Sequence, residues 1–274
     1  MSKIGTLSTT IAAAVAVLMS AASAQSAPID LSSWTALTLD FPGNQGAGNW
    51  VLEPGNTAVK QTINADPSFF LNGLSQTGYR MQGSWQVQQS GGDDDYMGFA
   101  FGYQNSSNFY LFDWKQSSQS SGAAFAAEGM TIKKYDGAGT NGLTDLSILE
   151  FWENEHVFGE MSVLATNHSS TAGWLDNALY DFLLEYNLVP GQFRVKVSQG
   201  ATTLWDVNVA DGTFGAGQFG FFNNSQAAVR YAGFEQQVIP PDPNPVPEPA
   251  SLALFGLALA GVAARCRQRR ASER

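Results

Sequence analysis

Cysteine is almost missing from these 274 residues, and the single copy, Cys266, sits close to the C-terminus. No disulfide framework can form from one thiol, and no cysteine nucleophile serves the body of the chain. Histidine is nearly as scarce. His156 and His168 are the two copies, and their spacing matches no metal-ligand pattern. Basic residues are few as well, with 14 Lys and Arg against 24 Asp and Glu, a formal net charge of −10. Such a surface repels phosphate backbones, so no nucleic-acid partner is expected. The chain lacks a Gly-x-Ser-x-Gly elbow, a phosphate loop and any solenoid or propeller repeat. Helical periodicity is weak throughout.

What is present begins at the two ends. Residues 1–24 carry Lys3, an apolar run over 11–19 and the small trio Ala22-Ser23-Ala24. This predicts a secretory signal peptide cleaved before Gln25, since the apolar run is about half the ~20 residues a membrane span needs. At the other end, 238–249 is dense in proline and predicts an extended linker. Residues 250–264 are apolar, and Arg265, Arg267, Arg269 and Arg270 follow. An apolar helix with a basic stop predicts transient retention in the inner membrane during export. Without these ends, residues 25–249 keep 8 basic and 23 acidic side chains, a net charge near −15. That body suits cations or basic partners.

Between the ends, the organising stretch is 93–115, DDDYMGFAFGYQNSSNFYLFDWK. Met97, Phe99, Phe101 and Tyr103 alternate with Tyr96, Gly98, Ala100 and Gly102, a period of two that predicts a strand. Residues 104–108 are polar and turn-forming, and 109–115 predict a second strand. A five-residue loop would set Tyr110, Phe112 and Trp114 opposite Gly102, Ala100 and Gly98, with large rings facing small residues. In that register Asp113 lies opposite Phe99, too far along from Asp95 to share one ion with it.

Strands are expected at 49–52, 57–64, 69–74, 78–89, 128–135, 180–186, 193–199, 201–209, 218–223 and 227–234. The segment 147–152 reads as a strand or short helix, 157–164 is ambiguous, and 117–127 and 166–177 read as loops. Roughly a dozen short strands with turn residues at regular spacing predict an all-β, antiparallel sandwich over 25–237.

Two resemblances sharpen this. Pro247-Glu248-Pro249, the apolar run and the terminal arginines resemble the PEP-CTERM sorting signal of Gram-negative bacteria. The likeness implies cleavage by an exosortase near Pro-Glu-Pro, often in species that make exopolysaccharide, and a secreted or cell-surface destination. The body is similar to the thrombospondin C-terminal domain. The match lies in Asp93-Asp94-Asp95-Tyr96-x-Gly98-Phe99-x-Phe101-Gly102-Tyr103-Gln104, in Ser106-Ser107-x-Phe109-Tyr110 and in Trp114-Lys115-Gln116. Glu128-Gly129, Ile132-Lys133, Gly173-Trp174, Phe193-Arg194-Val195 and 217–226 follow in the family's order. Membership implies a concanavalin-like jelly roll, calcium association and cell or matrix adhesion. No Arg-Gly-Asp occurs in the chain, so the integrin-linked part of the family's role does not carry over.

Asp93, Asp94 and Asp95 are the candidate calcium ligands. Calcium takes about six to eight oxygens from flexible acidic loops, so carbonyls, waters or other side chains must complete the shell. Glu153 and Glu155 are the candidate catalytic pair. On a strand they would share a face, and carboxylates ~5–5.5 Å apart suit retaining glycoside hydrolysis. Trp50, Trp85, Trp152, Trp174 and Trp205 could stack sugars but are expected mainly in the core. The expected role is a non-catalytic, calcium-associated adhesion protein that contacts extracellular polysaccharide or a surface protein. A lectin-like carbohydrate-binding module is the first alternative, and a glycoside hydrolase the second.

Overall fold

The computed structural model describes residues 28–89, 91–138 and 145–238. The signal peptide at 1–24, nearly all of the linker, Pro-Glu-Pro at 247–249 and the tail at 250–274 lie outside the described residues. So do residues 139–144 and Ser90.

A single 3-10 turn, Leu31–Ser33, starts on Asp30, whose carboxylate accepts the Ser32 N–H at 2.9 Å. Strands β1 (Thr35–Thr38), β2 (Trp50–Leu52), β3 (Ala58–Gln61) and β4 (Ser68–Leu71) follow. Next come β5 (Tyr79–Val87), β6 (Tyr96–Asn105) and β7 (Asn108–Lys115). A small ribbon, β8 (Gln119–Ser121) with β9 (Ala124–Ala126), precedes β10 (Gly129–Asp136). One short helix, α1 (Ile148–Trp152), leads to β11 (Met161–His168) and β12 (Leu179–Tyr186). The last four strands are β13 (Gln192–Gln199), β14 (Thr202–Ala210), β15 (Gln218–Asn224) and β16 (Val229–Val238).

Fourteen of these strands form two antiparallel seven-stranded sheets. The first runs β1-β4-β15-β6-β7-β10-β11, and the second runs β14-β13-β12-β5-β16-β3-β2. Face to face they make the concanavalin-like jelly roll. The inner faces meet in an aromatic core, where Trp85 stacks on Phe182 with ring centroids 4.9 Å apart and Phe99 stacks on Phe112 at the same separation. Each buried ring removes a large apolar area from water, worth roughly 1.5–3 kcal/mol.

The two sheets differ on their outer faces. That of the first sheet holds a second core, in which Tyr96, Phe109, Leu111 and Tyr135 pack under Phe151 of α1. Both faces of β6 and β7 are therefore buried, and their sequences are apolar at nearly every position. β5 in the second sheet keeps one dry face, with Tyr79, Met81, Trp85 and Val87 buried and Arg80, Gln82, Ser84 and Gln86 half-buried.

Three expectations need correction. The β6–β7 turn is two residues rather than five, because Asn105 pairs with Asn108 and the Asn105 side chain accepts the Ser107 N–H at 2.9 Å. A bulge around Gly102 then shifts the register by two residues, which leaves the strands one residue from the expected pairing. Gly102 adopts φ +56°, where a side chain is strained. Phe112 consequently faces Phe99, Tyr110 faces Phe101, and Tyr103 turns into the second core. Gly98 is small for another reason than a ring opposite it: an added Cβ would lie 2.0 Å from the Phe112 carbonyl oxygen. The segment read as loop over 117–127 holds the β8–β9 ribbon, and the strand ambiguity at 147–152 resolves to helix. There Glu150 accepts the N–H of Ser147 at 2.5 Å and that of Glu160 at 2.6 Å.

Candidate functional site

The triple aspartate leads directly into β6, as the sequence suggests, but its three carboxylates face different partners. Lys115, the last residue of β7, pairs across the ladder with Tyr96 and is wholly buried. Its ammonium sits among four oxygens: the Asp94 carbonyl at 2.7 Å, Asp94 Oδ1 at 2.8 Å, Asp95 Oδ1 at 2.9 Å and Gln119 Oε1 at 3.1 Å. The rings of Tyr96 and Trp152 cover it from 5.9 and 5.7 Å. A side-chain cation thus already occupies the oxygen cluster that Asp94 and Asp95 make. Asp95 is fixed further through its backbone. Its N–H donates to Gln226 Oε1 at 2.9 Å, and its carbonyl accepts from Trp174 Nε1 at 3.1 Å.

Asp93 stands apart. It is half-buried and accepts the Ala227 N–H at 3.1 Å. Burial pushes its carboxyl up to about 6, and the charges of Asp95 and Asp94 add to that, against hydrogen bonds from Ala227 and Asn64. The Gln89 amide donates to the Asp93 carbonyl at 2.5 Å and to Asp176 Oδ1 at 3.4 Å. The other Asp176 oxygen takes the Gly91 N–H. Loops around residues 89–95, 174–177 and 226–228 therefore meet at one end of the sandwich, where the Gln89 amide links the Asp93 carbonyl to the Asp176 carboxylate. Among the described residues no three His, Cys, Asp or Glu side chains are grouped to hold a metal ion.

Asp113 is excluded from that end, but by a different contact than the hairpin register suggested. It lies opposite Gly98 and forms an ion pair with Lys133 of β10 at 2.7 Å, with both side chains fully buried.

The segment 150–156 does not form the expected carboxylate pair. Glu153 ends α1, and Glu155 lies beyond it in an exposed bend rather than on a strand. Burial alone would raise the Glu153 carboxyl, but three backbone N–H donors outweigh it and hold the group below the ordinary carboxylate range. They are Phe125 at 2.9 Å, Glu155 at 2.9 Å and His156 at 3.0 Å. A carboxylate saturated in this way holds a turn and pins the β8–β9 ribbon. It is poorly suited to deliver a proton. His168 contacts Thr131 Oγ1 at 2.8 Å, and burial lowers its pKa.

A cavity of about 270 Å³ opens at the flank of the sandwich, bounded by Trp114, Met130, Asn167, Thr171, Tyr180 and Leu204. Trp114 and Tyr180 are buried in its wall. None of the seven tryptophans is exposed. Trp34, Trp85, Trp114 and Trp174 are buried, and Trp50, Trp152 and Trp205 are half-buried.

Comparisons with known proteins identify the family. The family description Thrombospondin C-terminal region matches residues 45–239. The chain belongs to the thrombospondin C-terminal family. A second description, the PEP-CTERM protein-sorting motif, matches residues 245–270. That motif indicates extracytoplasmic sorting by an exosortase in a Gram-negative bacterium. Thrombospondin-3b of Danio rerio is 30% identical over 214 residues, which is 76% of this chain and 23% of that protein. Cartilage oligomeric matrix protein of Bos taurus is 30% identical over 210 residues, 74% of this chain and 27% of that protein. The chain thus spans about a quarter of the length of these relatives. Among solved structures, the carbohydrate-binding module CBM66 of Bacillus subtilis superposes with a TM-score of 0.47 at 15% identity, covering 75% of this chain and 95% of that one.

Sequence reasoning found the aspartates but missed Lys115, Lys133, Asp176 and Gln226. A signal for the lysines was present. Lys115 and Lys133 stand in strands buried on both faces, where a charge must find a partner. Asp176 and Gln226 carry no such signal, because only the fold brings their loops to the aspartates.

Proposed function

We propose that this thrombospondin C-terminal domain is an exported, non-catalytic protein of the cell surface or extracellular matrix, working by calcium-associated adhesion. The observation that carries the proposal is the order of the two matches: the adhesion-family domain at 45–239 runs into the sorting motif at 245–270 with almost no chain between them. The domain is thereby the cargo that the sorting route delivers. In this reading calcium sits at the Asp93 end with Asp176, while Asp94 and Asp95 hold Lys115 as part of the fold. The partly buried carboxylate of Asp93, raised by burial despite its hydrogen bonds, supports that choice, since a divalent cation would stabilise its ionised form. The β-sandwich delivers a rigid platform, and the partner is an extracellular polymer or surface protein.

The test is calcium calorimetry and thermal unfolding on the full chain, with retention of added protein on the matrix of the producing cells. Calcium should raise the melting temperature, and chelator should release the protein from the matrix. Absence of matrix retention at any calcium concentration sinks the adhesion proposal. Retention without a calcium-induced thermal shift sinks the calcium half alone.

A further inference from the structure

The second sheet leaves its outer face uncovered, and that face gathers the basic residues. Residues 25–249 hold eight Lys and Arg. Five of them, Lys60, Arg80, Arg194, Lys196 and Arg230, alternate with core residues on β3, β5, β13 and β16 and are half-buried on the outward side. The other three lie elsewhere: Lys115 and Lys133 are buried, and Lys134 pairs with Asp211 at 3.1 Å. Four acids with described side chains share the basic face, namely Glu53, Asp181, Glu185 and Asp206, and the register sets Glu235 of β16 opposite Gln82 on the same side. All the remaining described side chains together carry three basic groups and sixteen acidic ones. A strongly acidic protein has therefore concentrated its positive charge on one flat sheet.

The acids on this face do not neutralise every cation. Arg80 pairs with Glu185, Arg194 with Glu185 and Asp206 at 3.3 and 2.7 Å, and Arg230 with Glu53 at 2.7 Å. Lys60 donates to Gln88 at 3.0 Å, and among the described residues neither Lys60 nor Lys196 has a carboxylate within ion-pair distance. In the strand order Lys60 on β3 and Lys196 on β13 are four strands apart, roughly 19 Å at ~4.8 Å per strand. Gln82, Ser84 and Gln86 of β5 lie on the same face between them.

We propose that this face docks an anionic polysaccharide laid across the strands, with Lys60 and Lys196 taking its carboxylates and the amides and hydroxyl of β5 meeting its sugar hydroxyls. The inference rests on the adhesion proposal and names its partner. Charge density selects the occupant. Lys196 lies across the ladder from Asp206, and neither it nor Lys60 is within ion-pair distance of a described carboxylate, so a polymer with one acid per sugar meets less repulsion here than a duplex with one phosphate per ~1.7 Å. Long-range repulsion from the acidic remainder does not forbid docking at physiological salt, because the Debye length is only ~8 Å there. It does at low salt, where that length reaches ~30 Å at 0.01 M. Affinity should accordingly pass through a maximum as salt rises, then fall as the lysine contacts are screened.

The experiment measures binding of the full chain to alginate, dextran and duplex DNA across a salt series. Alginate should bind, dextran should not, and DNA should bind more weakly than alginate. Lys60→Gln/Lys196→Gln should weaken alginate binding by about tenfold with an unchanged melting temperature, since neither ammonium holds a structural ion pair. Lys134→Gln, an equal loss of charge per site away from the face, should leave binding unaltered. Equal binding of dextran, tighter binding of DNA, or an unaffected double variant would each overturn the assignment. If the double variant still adheres to matrix, this face is wrong and adhesion stands. If wild-type protein does not adhere at all, the underlying proposal fails.

Discussion

Lys133 Nζ lies 2.7 Å from Oδ2 of Asp113, and neither side chain reaches solvent. The ammonium also donates to the Phe151 carbonyl at 3.0 Å and sits 4.8 Å from the centre of the Tyr96 ring. Asp113 Oδ1 has no hydrogen-bond partner among the described residues. Burial pushes the Asp113 carboxyl up to about 6 and the Lys133 ammonium down, and their mutual attraction opposes both shifts. Removing one member strands the other in the second core. Lys133→Met should therefore cost about 3–5 kcal/mol in urea unfolding, while Lys133→Met/Asp113→Leu should recover most of that loss. A single variant within about 1 kcal/mol of wild type would show that the charges are not as dry as their burial implies.

Glu153 makes a structural prediction that separates it from catalysis. Glutamine keeps one carbonyl acceptor and presents an amide NH2 where the carboxylate met backbone N–H groups of Phe125, Glu155 and His156. Glu153→Gln should lower stability by about 1–3 kcal/mol, the usual cost of buried donors left unsatisfied. Reducing-sugar assays on wild-type protein should give no signal for the variant to abolish. Sugar release by wild type that disappears in Glu153→Gln would restore the hydrolase reading.

Gly98 carries the tightest backbone approach on β6. Its missing Cβ would fall 2.0 Å from Phe112 O and 3.1 Å from Asp113 Cα. Both neighbours are backbone in the central strand pair, so neither can turn aside. Gly98→Ala should cost more than about 3 kcal/mol by forcing the β6–β7 ladder apart. Gly91→Ala, whose site has no atom within 4 Å, meets only the strain of its φ of +76° and should cost about 1 kcal/mol. Chemical denaturation of the two variants side by side checks the contrast, and equal losses would contradict it.

These cases also show which features were legible in the sequence. Alternation announced β5 directly, because one face of the second sheet is wet. It misled at Gly102, where a bulge in a strand buried on both faces reverses Tyr103 without altering the hydrophobic pattern. The sequence left α1 open between strand and short helix and hid the β8–β9 ribbon, because such short elements take their stability from the sheet they cover rather than from local propensity. The acidic lead-in was visible, but its division was not. Lys115 reaches Asp94 and Asp95 only after a hairpin brings 94–95 beside 115, and Asp176 reaches the Asp93 end only through the Gln89 amide, from a loop some eighty residues away.

That division fixes how stability should depend on pH. In the folded chain the Asp93 carboxyl is raised to about 6 from an ordinary value of 3.8, chiefly by burial. Between those two values the native state binds more protons than the unfolded chain, so stability falls as pH rises through the window. The penalty is absent below about pH 4 and complete above about pH 6. Asp93→Asn removes it and retains an acceptor for the Ala227 N–H. The variant should be more stable than wild type by about 1 kcal/mol at pH 7, a figure reduced for the solvent that reaches this half-buried group. At pH 4 the two should coincide. Comparing them cancels the titration of Asp113, which both proteins share. Calcium should reverse the order at pH 7, stabilising wild type and leaving Asp93→Asn unmoved, because protons and the ion compete for the same oxygens. Asp94→Asn should keep the calcium response and instead loosen Lys115. A calcium shift preserved in Asp93→Asn, measured by thermal unfolding at pH 7, would move the ion away from this end of the sandwich.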